Sequence, residues 1–209
     1  GPDVSFANCG LPYYVGEVIA ERGKLLVTTP EMLRQRFRLD VRTQTNVEAI
    51  DRPRRVVRVK NLVTGVETEE RYDKLILAPG AAPIRPPMPG LDLPGVHTLR
   101  NLGDVDRIKA AVDGGIQHAV VVGAGFIGLE LVENFVHRGV RTTLIELNDQ
   151  VLPPLDKEMS TPILEALKSK GVDVRLSDSA TGIEATPSGL QVTLKSGATI
   201  ATGLVILGV

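Results

Sequence analysis

The alternation of apolar and polar positions is most informative between Gln117 and Glu146. An apolar run at Ala119–Val122 predicts a short buried strand of a parallel sheet. A helix is predicted next by apolar residues at the spacing of one helical face, namely Ile127, Leu131 and Phe135. Gly139 stands where a helix-ending glycine is expected, and Thr142–Ile145 predicts a second strand. This stretch therefore predicts a strand–helix–strand unit.

The rest of the chain predicts further helices and strands on both sides of this unit. Helices are predicted at Pro30–Phe37, at Leu102–Val112 and from Ser160 or Thr161, with Pro162 in the first turn. Strands are predicted at Leu39–Thr43, Asn46–Asp51, Arg55–Val59, Lys74–Ala78, Val172–Leu176, Thr181–Thr186, Leu190–Leu194 and Leu204–Leu207. Turns are predicted at Thr64-Gly65 and Ser188-Gly189, so that hairpins flank a βαβαβ core. The fold class is α/β and Rossmann-like.

A proline-rich segment at Ala81–Gly95 indicates a boundary between domains. We expect a first domain over residues 1–98 and a second over residues 99–209. The chain begins without methionine and ends directly after an apolar run. We therefore expect it to be part of a longer protein.

The predicted strand-to-helix junction carries glycines at the spacing G-x-G-x-x-G, namely Gly123, Gly125 and Gly128. In such a turn the first glycine permits the tight bend, the second lets the backbone approach a pyrophosphate, and the third lets helix and strand pack closely. The first N–H groups of the helix then point at the phosphates. The pattern predicts a dinucleotide site; a turn packed only for structure is the alternative.

Glu146, at the end of the second predicted strand, indicates which dinucleotide binds. It lies 18 residues past Gly128, close to the spacing of the acid that binds a ribose 2′-hydroxyl. A 2′-phosphate would be repelled by this carboxylate, and residues 147–149 supply no arginine to replace it. The sequence therefore favours NAD over NADP.

Cys9 is the only cysteine and the only candidate nucleophile with a distinctive setting. A single cysteine among apolar residues is usually buried and inert. Here the neighbours are Ser5, Asn8 and Gly10, near the start of a possible helix, and such a setting can hold a cysteine as a reactive thiolate. Both interpretations remain open from the residues alone.

Composition excludes several classes of protein. The formal net charge is −1 and aromatic residues make up 3%, with no tryptophan, which argues against nucleic-acid binding. No apolar run is long enough for a membrane helix, and no signal-peptide pattern opens the chain. The three histidines are scattered without metal-ligand spacing, so no metal site is predicted. With one cysteine, a reducing cytoplasmic location is the simplest expectation.

Five segments, in order and spacing, resemble the single-cysteine branch of the pyridine nucleotide–disulfide oxidoreductases: SFANCGLPYY, YDKLILAPGAAP, TLRNL, VVVGAGFIGLE and LVILGV. Within that branch the chain is most similar to the coenzyme A-disulfide reductase group, which includes reductases of CoA persulfide and polysulfide. The resemblance covers essentially the whole chain. It implies a flavoprotein with one domain for FAD and one for NAD, a homodimer when full length, and the middle part of a longer sequence.

The resemblance also implies roles for individual residues. Cys9 would be the redox-active nucleophile, and Ser5 and Asn8 would contact coenzyme A. FAD contacts are implied at Val47, Ala78, Pro79, Gly80, Ala81 and Arg100. NAD contacts are implied at Gly123, Gly125, Phe126, Ile127, Gly128, Glu130, Glu146 and Gly208. A solvated charge on the helix is the alternative for Glu130.

Three positions depart from the family pattern. Pro79 stands where a threonine is usual, Phe126 where a tyrosine is common, and Phe37 where a basic residue contacts coenzyme A, although Arg36 and Arg38 flank it. The family's first G-x-G-x-x-G, its second FAD segment and its dimerisation domain are not in this sequence, so we expect weak FAD binding by this chain alone.

The expected activity is hydride transfer from NAD(P)H through FAD to a CoA disulfide, CoA persulfide or polysulfide by way of Cys9. An NADH oxidase or peroxidase that uses a Cys9 sulfenic acid is the enzymatic alternative. A nucleotide-binding module without turnover, in which Cys9 is merely packed, is the alternative of another class.

Overall fold

The computed structural model of the chain describes residues 1–208; Val209, the end of the second predicted domain, lies outside the described residues. The α-helices are α1 (Leu11–Val15), α2 (Pro30–Phe37), α3 (Leu102–Asp113), α4 (Phe126–His137) and α5 (Lys157–Ser169). The strands are β1 (Ser5–Phe6), β2 (Leu26–Thr28), β3 (Thr45–Asp51), β4 (Val56–Asn61), β5 (Glu67–Arg71), β6 (Val96–Thr98), β7 (His118–Val122), β8 (Arg141–Ile145), β9 (Asp173–Arg175), β10 (Ala180–Thr186), β11 (Gly189–Leu194), β12 (Thr199–Thr202) and β13 (Leu204–Leu207).

The chain divides into two compact units that do not follow the expected boundary at residue 98. The first unit is Gly1–Ala7 with Leu26–Ala81; the second is Asn8–Leu25 with the chain from Ala82 onwards. Residues 8–25 belong to the second unit because α1 packs on α3 and α4. Residues 82–98 belong there because β6 joins its sheet. The assignment of residues 1–98 to an FAD domain and 99–209 to an NAD domain concerns cofactors and stays a prediction.

The second unit is built on a parallel sheet with strand order β6-β13-β7-β8-β9. The middle strand β7 is buried along its whole length, as the apolar run predicts. β10, β11 and β12 form an antiparallel sheet, and both sheets contribute to one apolar core: Val120, Val122, Ile145, Ile183, Leu190, Val192, Leu194, Val205 and Leu207. The predicted α/β, Rossmann-like fold with flanking hairpins is confirmed.

His118, at the start of β7, ties the two sheets together. Its Nδ1 lies 2.8 Å from the carbonyl oxygen of Ala201, and its Nε2 lies 3.0 Å from Oγ1 of Thr143. Burial of the ring lowers the pKa of His118, and the hydrogen bond with Ala201 offsets only part of this effect. His118 therefore holds the β10–β12 sheet to the parallel sheet in its neutral form.

The predicted helices occur, with one correction at α5. Pro162 was expected in the first turn, but the helix begins at Lys157 after Asp156, and Pro162 lies inside it. In the turn before the proline, the side-chain hydroxyls of Ser160 and Thr161 both donate to the carbonyl oxygen of Lys157. The helix therefore extends one turn further towards the N-terminus than its proline indicates.

The first unit contains the antiparallel sheet β3-β4-β5 and the helix α2. Thr29 caps α2 as predicted, and Thr64-Gly65 forms the turn between β4 and β5. Leu39–Thr43 was predicted as a strand and is irregular. Left-handed backbone at Arg38 and Gln44 turns the chain on both sides of it, so it cannot align with a neighbour.

The predicted strand at Lys74–Ala78 is also absent from the structure. This run is irregular, and its apolar side chains are exposed, Ile76 to 89%. A strand needs a hydrogen-bonding neighbour, and no strand within residues 1–208 pairs with this run. The apolar pattern alone was therefore insufficient to form a strand here.

Candidate functional site

The glycine turn between β7 and α4 has the geometry that its sequence predicts. Gly123 has φ +105, a conformation that favours glycine. A Cβ on Gly128 would lie 2.0 Å from the carbonyl oxygen of Gly123, so this position must lack a side chain for helix and strand to approach. A Cβ on Gly125 would meet only the carbonyl oxygen of Gly208, at 3.9 Å. The space beside Gly125 is therefore open to a ligand.

This open space lies at the N-terminus of α4. Gly125 is the N-cap residue and makes no side-chain cap, and Phe126 and Ile127 follow with exposed side chains. The first N–H groups of a helix lack partners within the helix and favour an anion. Gly208 packs beside the same turn, where its Cβ would be 3.3 Å from Cα of Gly128. The structure thus brings together the glycines predicted to hold a dinucleotide, and the residues present fit a pyrophosphate.

Glu146 is at the end of β8, buried to 6% exposure beside the turn. Its Oε2 accepts a hydrogen bond from the backbone N–H of Ala124 at 2.7 Å. Its Oε1 accepts from the backbone and side-chain amides of Asn148, at 2.9 and 2.7 Å. Three donors thus compensate the buried charge. Asn148 was missed as a partner, although its position two residues after the acid is typical of a local side-chain hydrogen bond.

Cys9 is exposed and lines a pocket of about 420 Å³ in the second unit. The other residues that line this pocket are Asn8, Leu11, Pro12, Leu99, Arg100, Phe126, Ile127 and Glu130. The Cys9 thiol and the N-terminus of α4 therefore face one space, although 117 positions separate Cys9 from Phe126. Exposure of Cys9 contradicts the interpretation of a buried, inert cysteine.

Polar and charged groups define one side of this pocket. Nη1 of Arg100 donates to Oδ1 of Asn8 at 3.4 Å. Burial, followed by repulsion from Glu133, raises the pKa of Glu130. The carboxylates of Glu133 and Glu130 in turn raise the pKa of Tyr13, which lies on α1 one helical turn after Cys9. The pocket thus combines a thiol, a guanidinium group, and a carboxyl group whose pKa is raised.

The remaining predicted contacts lie in the first unit. Ser5 forms β1, and Val47 is an exposed residue of β3. Ala78, Pro79, Gly80 and Ala81 are exposed and irregular, and Gly80 has φ +73. Their roles towards FAD and coenzyme A stay predictions.

The described part of the chain contains neither a metal-binding cluster nor a membrane-spanning helix. Within residues 1–208, no His, Cys, Asp or Glu side chains form a group of three that could hold a metal ion. Over the same residues no helix combines the length and the apolar character needed to cross a membrane.

Comparison with known proteins identifies the class to which this fold and site belong. The family model described as pyridine nucleotide-disulphide oxidoreductase matches residues 2–209. The chain is therefore a member of the pyridine nucleotide-disulphide oxidoreductase family, as its motifs predicted. Membership implies FAD and NAD(H) as the cofactors.

Individual relatives narrow the resemblance. The chain is 38% identical over 208 residues to coenzyme A disulfide reductase of Staphylococcus aureus, covering 99% of this chain and 46% of that protein. The reduced CoADR-RHD protein of Bacillus anthracis superposes with a TM-score of 0.95 at 45% identity, over 100% of this chain and 38% of that one. A water-forming NADH oxidase of Lactobacillus brevis, solved with NADH bound, superposes with a TM-score of 0.93 at 29% identity, over 99% of this chain and 45% of that one. The chain thus spans about half the length of the curated relatives it matches.

Proposed function

We propose that the full-length protein is an FAD-dependent oxidoreductase that uses NADH to reduce a coenzyme A disulfide through Cys9. The observation that carries the proposal is the pocket lined by Cys9, Phe126 and Glu130, which places a thiol beside the N-terminus of α4. The likeness to coenzyme A disulfide reductase over 99% of the chain supports the acceptor. CoA persulfide and polysulfide are related acceptors, because the same sulfur–sulfur bond is broken.

The glycine turn, α4 and Glu146 would together bind NADH. The open face of Gly125 and the N–H groups of α4 would hold the NADH pyrophosphate, and Glu146 would accept a hydrogen bond from the ribose. The Glu146 carboxylate supports NADH over NADPH, because it would face the 2′-phosphate of NADPH with like charge. NADH and FAD would together supply two electrons to the disulfide.

Cys9 would carry out the sulfur chemistry. Its thiolate attacks one sulfur of the CoA disulfide, so that a Cys9–CoA mixed disulfide forms and one CoA thiolate leaves. Two electrons and a proton then cleave the mixed disulfide to the Cys9 thiolate and a second CoA thiol. A single cysteine is sufficient because coenzyme A supplies the other sulfur. Glu130, whose pKa is raised by burial and by Glu133, lies in the same pocket and is suited to hold the proton.

The C-terminal end of α2 is our candidate for recognition of the coenzyme A phosphates. Arg34 and Arg36 lie in its last turn, and Arg38 follows in the left-handed conformation. The Arg36 guanidinium lies 5.4 Å from the centre of the exposed Phe37 ring, which could stack on adenine. These cations compensate for Phe37, which stands where the family pattern has a basic residue.

Alanine at both Arg36 and Arg38 should raise KM for CoA disulfide, whereas Arg52→Ala, a control on an exposed turn, should not.

Substitution of Cys9 tests the function. Cys9→Ser in the full-length, FAD-loaded protein should still allow NADH to bleach the flavin absorbance in an anaerobic stopped-flow experiment. Turnover of CoA disulfide should fall to background, because serine cannot form the mixed disulfide. Undiminished turnover in Cys9→Ser would show that the sulfur is not part of the electron path.

The second candidate function is an NADH oxidase or peroxidase, favoured by the likeness to the Lactobacillus brevis enzyme. In that case Cys9 would alternate between thiolate and sulfenic acid. Parallel assays of NADH consumption with CoA disulfide, CoA persulfide, oxygen and hydrogen peroxide separate the candidates. A dominant rate with oxygen or peroxide would replace our proposal with this alternative.

The proposed homodimer can be checked by light scattering of the full-length protein, and the proposed cytoplasmic location by cell fractionation.

A further inference from the structure

Arg138, the residue that follows α4, ties three helices together. Its Nη1 donates to the carbonyl oxygen of Val15, the last residue of α1, at 2.9 Å. Its Nη2 donates to Oδ1 of Asp113, the last residue of α3, also at 2.9 Å. The side chain is 19% exposed. One guanidinium group therefore fixes the C-terminal end of α1, the helix that follows Cys9, to the C-terminal ends of α3 and α4.

Lys109 makes a second tie from α3 to the same end of α1. Its ammonium group lies 3.2 Å from Oε1 of Glu17 and 2.9 Å from Oδ2 of Asp113. It also lies 5.5 Å from the centre of the Tyr14 ring, and its side chain is only 13% exposed. Burial alone would lower the pKa of Lys109, but the hydrogen bonds with Asp113 and Glu17 outweigh burial and raise it. The tie is therefore ionic throughout the neutral range.

Tight packing prevents α1 from moving closer to α4. Leu11 and Val15 are buried, at 2% and 0% exposure. A Cβ on Gly16 would lie 1.8 Å from Oδ1 of the buried Asn134 on α4. The apolar contacts and this close approach set the depth of α1, whereas Arg138 and Lys109 hold its C-terminal end.

We propose that Lys109 and Arg138 are positioning residues, which hold α1, and with it the preceding residue Cys9, in register with the N-terminus of α4. A helix of five residues is not stable by itself, so its orientation depends on its packing against α3 and α4 and on these ties. α4 connects the two ends of the arrangement, because Arg138 follows its last turn and Phe126, which shares the pocket with Cys9, begins its first turn. The inference rests on the proposed function only in naming the reaction that the register serves.

The test uses the full-length, FAD-loaded protein with Lys109→Met or Arg138→Met. Methionine keeps much of the aliphatic stem and removes the charge. The matched control is Arg54→Met, which removes the ion pair between Arg54 and Glu69 on the β3–β5 sheet. Hydrogen exchange of residues 8–17 should accelerate on the order of 10-fold in the two test variants, with exchange of residues 126–137 unchanged. The control should resemble the wild type.

Kinetics separate a positioning role from a merely structural one. We expect reduction of the flavin by NADH to stay within about 2-fold of wild type, while turnover of the acceptor falls about 10- to 100-fold, since a displacement near 1 Å has effects of this order. Lys109→Arg keeps the charge and should restore most of the lost turnover. If Arg138→Met does not fold, Lys109→Met carries the same comparison.

The outcomes distinguish this inference from the proposed function. Unchanged exchange in residues 8–17, or an equal loss of both half-reactions, would overturn the positioning role. If the wild type reduces oxygen or peroxide instead of CoA disulfide, the proposed acceptor is wrong. The exchange experiment and the rate with the actual acceptor would still decide the role of Lys109 and Arg138.

Discussion

Substitution by alanine should affect different properties at two glycines of the same turn. At Gly128 the added Cβ would lie 2.0 Å from the carbonyl oxygen of Gly123 and 3.1 Å from its carbon, so the backbone must move. At Gly125 the nearest atom would be 3.9 Å away, which is ordinary contact. One substitution therefore disturbs the fold, and the other only occupies the space assigned to the ligand.

The magnitudes follow from these distances. Overpacking typically costs about 1–3 kcal/mol, and Gly128→Ala should reach the upper part of this range because backbone atoms cannot rotate away. In a domain of this size, that corresponds to roughly 2–4 °C in Tm for each kcal/mol. For Gly125→Ala, the reduced entropy of the unfolded chain and the weaker N-cap roughly cancel. Its loss should be in NADH affinity, by 10-fold or more, which is about 1.4 kcal/mol.

Calorimetry and anaerobic titration of flavin reduction by NADH measure the two effects on the full-length protein. Gly23→Ala is the matched control, because its Cβ would meet no atom within 4 Å, and it should change neither property. Our account of the turn is refuted if Gly125→Ala binds NADH normally. It is also refuted if Gly125→Ala is destabilised as much as Gly128→Ala.

Three further predictions concern Glu146, His118 and Gly16. Glu146→Gln places an amide N–H group opposite one of the N–H donors that the carboxylate now accepts from, so it should lower the free energy of unfolding by about 1–3 kcal/mol. The ratio of kcat/KM for NADH to kcat/KM for NADPH should also fall. An unchanged ratio would exclude Glu146 from cofactor choice. The pKa of His118 is lowered in the folded state, so on acidification the unfolded state binds the proton first. The free energy of unfolding should therefore fall below pH 6.5, by at most about 1.4 kcal/mol per pH unit. Urea unfolding at pH values from 7.5 to 5 should show a smaller loss of stability in His118→Gln than in the wild type. Gly16→Ala should displace α1 through Asn134 and lower acceptor turnover more than flavin reduction; a parallel loss of both would contradict this.

The geometry of the glycine turn and of Glu146 could be predicted because its signals are local. Strand, glycine turn, helix and terminal acid follow one another within Gln117–Glu146, and each requirement is met by a nearby residue. The structure brings Gly208 to the same turn through the last strand, whereas its contact with NAD stays a prediction. Here periodicity and backbone geometry agree, so the sequence pattern was sufficient.

The rest depends on contacts between distant parts of the chain. Lys74–Ala78 has the composition of a strand, but strand formation requires a partner. Lys109 and Arg138 are two charges among many on helical surfaces, and nothing in their neighbours distinguishes them. Their partners Val15 and Glu17 are about ninety or more positions away. The grouping of residues 8–25 with the chain after Ala82 follows from the same long-range contacts.

The exposed run Leu75–Leu77 has a practical consequence for preparation of this chain by itself. Three consecutive aliphatic side chains, 39%, 89% and 69% exposed, are accompanied by backbone that joins no strand within residues 1–208. Such a segment is an aggregation hazard, because copies in separate molecules can stack as intermolecular β-structure. When this chain is prepared by itself, loss of material on storage should therefore rise steeply with concentration, and dilute samples should keep longest.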